Sequence, residues 1–137
     1  MAEFCMKKLV AEAGQTTAFE IASAATSTEE LGNSVYPPAK RVLNSKGIDC
    51  SGKRARQITG ADYRYYDLII GMDNANMRNM NRFWNGDPEG KLRMLLELTD
   101  TPGEVADPWY SGDFETTWND VFKGCSKLLE LCLKDEI

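Results

Sequence analysis

An α/β domain around a parallel sheet is what the sequence predicts, on three observations. Tyr66-Asp67-Leu68-Ile69-Ile70-Gly71-Met72 and Leu92-Arg93-Met94-Leu95-Leu96 are short, largely apolar runs of the kind that form strands buried on both faces of a sheet. Segments with helical spacing of apolar residues alternate with these runs. The connections between them are short and carry the Gly, Pro, Asn and Asp of turns. At 137 residues and 42% hydrophobic content the chain makes one domain, residues 1–137, with a sizeable core.

Taken in order, residues 2–13 carry Cys5, Met6, Leu9, Val10 and Ala13 at helical spacing, and Gly14 stops the helix. Met1 and Ala2 stand where a capping Ser, Thr or Asp belongs, so the start is abrupt. A short strand over residues 19–23 is predicted, leading into a polar loop with Gly32 and Asn33. Pro37 and Pro38 open a second helix that closes at Lys46-Gly47. Lys53, Arg54 and Arg56 read as a solvated basic surface, and Thr59 caps a short helical turn. The strand over residues 66–72 leads through Asp73 into a helix with Met77 and Met80 inward, and with Phe83 and Trp84 as further inward candidates. After the strand over residues 92–96 and a loop containing Pro102-Gly103, Asp113 caps the last helix. Its apolar face is Phe114, Trp118, Val121, Phe122, Cys125, Leu128, Leu129 and Cys132.

Charge and composition exclude several functions. A net charge of −5 and a pI near 4.8 do not suit a protein that binds bulk nucleic acid or an anionic membrane. No apolar run approaches a membrane span and no signal-peptide pattern opens the chain, so a cytoplasmic protein is expected. Cys5, Cys50, Cys125 and Cys132 have no zinc-site spacing, and no histidine is present for a Ser-His or Cys-His mechanism or as a metal ligand. No metal or other cofactor is expected. The remaining chemistry belongs to carboxylates, thiolates and backbone amides.

The stretch Ala106-Asp107-Pro108-Trp109-Tyr110-Ser111-Gly112-Asp113 is the candidate site. Pro108 biases Asp107 toward extended backbone and so gives its side chain a dominant direction. Trp109 and Tyr110 can wall a flat substrate and shield the acid from water, a setting that favours a proton donor. Asp-Pro and Ser-Gly-Asp are equally ordinary turn chemistry before a helix cap. In parallel sheets the site lies beyond the carboxyl ends of the strands, where the stretches after Ser23, Met72 and Leu98 converge.

Several segments together resemble one family. Ser23-Ala24-Ala25-Thr26-Ser27, Gly47-Ile48, Ala55-Arg56-Gln57-Ile58-Thr59, the run from Tyr66 to Asp73, and Asp107-Pro108-Trp109-Tyr110 before Asp113-Phe114-Glu115 are similar, in order and spacing, to the low-molecular-weight protein tyrosine phosphatases. The resemblance implies a flavodoxin-like, doubly wound fold around a four-stranded parallel sheet. It implies Asp107 as the general acid that protonates a leaving phenolate, with Trp109 and Tyr110 lining the phosphotyrosine crevice. Ser23 is implied as a hydroxyl supporting the nucleophile loop, and Asp73 and Asn76 as part of the neighbouring loop.

In that family the first strand ends in Cys, five residues, Arg and Ser or Thr, wrapped around phosphate at a helix N-terminus, followed by Pro, Met, Ala, Glu. Met1-Ala2-Glu3-Phe4 aligns with the first turn of that helix. The expectation is therefore a domain lacking the first strand and the phosphate loop, its start at an internal methionine. Cys50 and Arg56 have the bare Cys-x5-Arg spacing, but Gln57 follows instead of a hydroxyl and no clear strand precedes. Cys5 has Ala11 in the arginine position.

Three functional expectations follow. The first is a phosphatase homologue acting, when complete, on phosphotyrosine proteins or aryl phosphates, and inactive without its loop. The second is a non-catalytic binding or self-associating protein, because removing a central strand leaves two edges to be covered. The third, an arsenate reductase-like activity, is disfavoured because no relay cysteines lie between Asp73 and Asp107.

Overall fold

The computed structural model describes residues 1–27, 31–108 and 112–137. Helix α1 (Ala2–Glu12) begins at Met1 with no side-chain cap and ends before Gly14, whose φ of 71° suits a residue with no Cβ. A 3-10 turn at Thr16–Ala18 follows, and Phe19 continues in extended conformation. The strand expected over residues 19–23 does not form. Just beyond it Ala25 makes an isolated parallel bridge, where the Ala25 N–H donates to Arg56 O and the Ile58 N–H donates to Ala25 O.

Helix α2 (Pro37–Ser45) has proline in its first turn, as expected. Helix α3 (Gly60–Tyr65) carries a full capping box, in which Thr59 accepts from the Asp62 amide and Asp62 accepts from the Thr59 amide. Strand β1 (Ile69–Gly71) is the core of the predicted run, and helix α4 (Asn74–Phe83) follows directly with Asp73 as its cap. Strand β2 (Leu92–Met94) pairs with β1 in parallel register, Ile69 with Leu92 and Gly71 with Met94. The predicted strand stops there because the chain turns into a 3-10 segment at Leu95–Leu98. Helix α5 (Phe114–Leu133) completes the chain.

The structure is an α/β fold with a parallel sheet and flanking helices, as the sequence predicts. Among the described residues the sheet has two strands rather than the three left when the family's first strand is absent, with the Ala25–Gln57 bridge standing apart. The hydrophobic core is also divided. The larger part joins α1, α2 and α5 through Cys5, Val10, Leu43, Leu95, Trp118, Val121 and Cys125. The smaller joins Ile58, Tyr63, Met80 and Leu92, with Trp84 packed beside it.

Two glycines set close approaches. A Cβ on Gly124 of α5 would lie 2.3 Å from Leu95 Cγ, so glycine is what lets the 3-10 segment press against the helix. A Cβ on Gly71 would meet Met77 Sδ at 2.9 Å, where α4 folds back over the end of β1. Two expected inward residues face solvent instead: Phe83, and Phe122 at 45% exposure. In α5 the buried stripe runs through Trp118, Val121, Cys125, Leu128 and Leu129, and Phe122 lies one position round from Val121, where the stripe ends.

Candidate functional site

Asp73 and Asn76 lie just beyond the carboxyl end of β1, the segment leading to Asp107 is joined there, and main-chain groups account for much of the joining. The Val105 N–H donates to Met72 O at 2.9 Å, tying the loop before Asp107 to the end of the strand. Asp73 caps α4 by accepting from the Asn76 N–H at 2.7 Å, and Asn76 Oδ1 accepts from the Met72 N–H at 3.0 Å. Glu104 Oε1 accepts from the Asn74 N–H at 2.9 Å. The loop of Asp73 and Asn76 and the loop of Asp107 are thus bonded to one another at both Met72 and Asn74. From the third stretch, Thr26 Oγ1 meets Asn79 Nδ2 of α4 at 3.3 Å.

Asp107 itself is exposed, next to Pro108. The residue before it is held from α5: Thr117 Oγ1 donates to Ala106 O at 2.9 Å, and the Ala106 N–H donates to Asp120 Oδ2 at 3.3 Å. Trp109 and Tyr110, expected to wall the crevice, lie outside the described residues.

Ser23 is engaged at the base of α1. Its hydroxyl donates to Glu3 Oε1 at 2.7 Å, where Lys53 Nζ also donates at 2.6 Å, and Lys7 Nζ donates to Glu3 Oε2 at 2.8 Å. Glu3 is 8% exposed. Its burial works to raise the carboxyl pKa, but the bonds from Lys53, Lys7 and Ser23 together outweigh it and hold the value at about 2. Lys53 is accordingly not part of a solvated basic surface. A buried carboxylate draws it in, and Arg56 is committed to a two-bond pair with Asp62 at 3.0 Å.

Cys50 is 2% exposed within the larger core cluster, which gives it a packing role and removes it from any phosphate-binding geometry with Arg56. Cys125 is buried and Cys132 half-buried. Burial and the neighbouring Cys5 push the Cys125 thiol well above its ordinary range, with the Cys5 contact the larger influence. Among the described residues no group of three or more His, Cys, Asp or Glu side chains is placed to hold a metal ion. A shallow cavity of about 170 Å³ between α1 and α5 is lined by Cys5, Lys8, Leu9, Lys46, Trp118 and Phe122, among others, and by none of the predicted site residues.

Sequence reasoning missed Glu3, Glu104, Thr117 and Asp120. Glu3 carried one usable signal, an acid in the first turn of a helix. The other three act on main-chain groups, which leave no mark on the partner's sequence.

Residues 1–136 match the family model described as low molecular weight phosphotyrosine protein phosphatase. The chain belongs to that family. It is 31% identical over 139 residues to the low molecular weight protein-tyrosine-phosphatase YfkJ of Bacillus subtilis, covering 99% of this chain and 88% of that protein. It is 34% identical over 135 residues to the low molecular weight phosphotyrosine protein phosphatase of Rattus norvegicus, covering 95% of this chain and 85% of that protein. The crystal structure of YfkJ superposes with a TM-score of 0.94 at 27% identity, over 99% of this chain and 87% of that one. That of the Streptococcus pyogenes phosphatase superposes at 0.83 with 36% identity, over 94% and 81%. Among the described residues of this phosphatase relative, no helix is long and apolar enough to cross a membrane.

Proposed function

We propose that this chain supplies the acid side of a phosphotyrosine phosphatase site, and that a Cys-x5-Arg phosphate loop ahead of Met1 is required to complete it. Asp107 protonates the leaving phenolate, Trp109 and Tyr110 line the crevice, and Ser23 supports the nucleophile loop through the start of α1. Asp73 and Asn76 hold the adjoining loop in register with that of Asp107. The substrates are phosphotyrosine proteins and aryl phosphates. The thiolate of the supplied loop attacks phosphorus and its arginine and amides hold the phosphoryl oxygens, so no metal or other cofactor takes part.

The observation that supports this reading most directly is the tie between Val105 and Met72, which brings the acid-bearing loop to the carboxyl end of β1. The 137 residues contain one Cys-x5-Arg spacing, and its cysteine is buried in the core. The expected result is negligible aryl phosphate hydrolysis and no vanadate binding by the 137-residue chain, with both appearing once a strand and loop segment is joined ahead of Met1. Robust turnover by the 137-residue chain, abolished by Asp107→Ala, would overturn the requirement for that loop.

One observation favours a second reading, strand-mediated self-association. Among the described residues no strand pairs with β1 on the side away from β2, and the Ala25–Gln57 bridge is separate from that pair. An uncovered edge of this kind accepts a strand from another chain. Light scattering of the 137-residue chain tests it, and a monomer at all concentrations rules it out.

A further inference from the structure

We propose that Thr117 and Asp120 of α5 are positioning residues for the general acid, a reading that rests on Asp107 holding that role. The peptide groups flanking Ala106 are gripped from a single turn of the helix. Thr117 Oγ1 donates to the Ala106 carbonyl at 2.9 Å and Asp120 Oδ2 accepts from the Ala106 N–H at 3.3 Å. Residues three apart on a helix share a face, so both side chains reach the same short stretch of main chain.

Three further restraints make this grip consequential. Val105 is bonded to Met72, so the chain is fixed one residue upstream of Ala106. Pro108 fixes its own φ and restricts Asp107 to extended backbone, so the chain is restrained one residue downstream of the acid. Asp107 therefore sits between two held neighbours.

The third restraint is the helix. Thr117 is 7% exposed, and Trp118 between the pair and Val121 just after it belong to the larger core. Further along α5, the buried Cys125 thiol lies 3.8 Å from Ala2 O at the start of α1. In the proposed site the phosphate loop enters α1 at that end. One rigid packing of α5 on α1 thus sets the acid relative to the nucleophile's helix, with Thr117 and Asp120 as the contacts on the acid side. Thr117 also lies 3.4 Å from Asp113 O, the weaker of its two acceptors and one any helical threonine can reach. The shorter bond, to Ala106, is the one specific to this loop.

Proton donation matters most when the leaving group is a poor one, and this separates a displaced acid from a damaged fold. In the protein bearing a phosphate loop, Thr117→Val and Asp120→Ala are expected to slow turnover of phenyl phosphate by about tenfold. The same variants spare 2,4-dinitrophenyl phosphate, whose phenolate leaves unaided. Thr117→Ser and Asp120→Asn keep a hydroxyl donor and an oxygen acceptor and restore the rate. A uniform loss on both substrates, or none on either, overturns the proposal.

The 137-residue chain gives an independent measurement. Hydrogen exchange at the Ala106 amide should rise by about tenfold in Asp120→Ala and return in Asp120→Asn, while Val121 and Cys125 stay protected. An unchanged Ala106 amide in Asp120→Ala refutes the grip itself. If Asp107→Ala shows no dependence on the leaving group, the general-acid reading fails and the positioning role with it. If Asp107→Ala is selective and the α5 variants match the parent protein, the positioning proposal alone fails.

Discussion

Replacing Glu3 by Gln removes a buried charge while keeping its shape, and the outcome can be worked from the structure. The carboxylate takes three hydrogen bonds, two from lysines, and its pKa is held at about 2 against an ordinary value of 4.5. Each tenfold change in proton affinity is about 1.4 kcal/mol, so the ionised form contributes about 3 kcal/mol over the neutral one. The sign follows from the direction of the shift. A carboxyl depressed in the folded state gives its full stability above the unfolded value near 4.5, and that stability is lost as pH falls through about 2. Glutamine resembles the neutral acid, so Glu3→Gln should cost about 2–3 kcal/mol at pH 7, and the two proteins should converge in stability toward pH 2. Urea unfolding of both at several pH values reads this difference directly, because acid effects at other carboxylates are common to both. Parallel stability curves between pH 4.5 and 2, with no convergence, would refute the assignment of Glu3 as a charged, triply bonded anchor.

Other substitutions test the packing. Gly124→Ala gains about 1 kcal/mol of helix propensity but drives a methyl group to within 2.3 Å of Leu95 Cγ, a side chain only 1% exposed, at about 1–3 kcal/mol. It should lower Tm more than Gly71→Ala, whose two nearest neighbours are the yielding ends of Met77 and Met80, and an equal or smaller loss would show that Leu95 has room to move. Cys50→Ser buries a hydroxyl in the core and should cost about 1–3 kcal/mol without changing turnover by the loop-bearing protein. A selective loss of turnover with stability intact would return Cys50 to candidacy as a nucleophile.

What the sequence revealed divides along a physical line. Helix limits were legible because their causes are local: Pro37 and Pro38 opening α2, Thr59 at the start of α3, Asp113 as the cap of α5. Extended runs were overread. Residues 66–72 and 92–96 are apolar throughout most of their length, yet only Ile69–Gly71 and Leu92–Met94 form strands. Residues 19–23 form none, because a strand exists only where a neighbour supplies its ladder. Lys53 was misjudged for a related reason, since its partner Glu3 is 50 residues away in the chain.

The candidate site repeats that division and explains it. Asp107 stood out as an acid beside a proline, whereas Asp73 and Asn76 became candidates through the family resemblance. The side chains that hold the loop of Asp107 did neither, because Thr117 and Asp120 bind the amide and carbonyl groups of Ala106, which any residue but proline would offer. Side chains that carry chemistry must have a particular identity, whereas the main chain they depend on need only be in place. Positioning residues of this kind come to light when the loop's own hydrogen bonds are traced, and here both lead to one turn of α5.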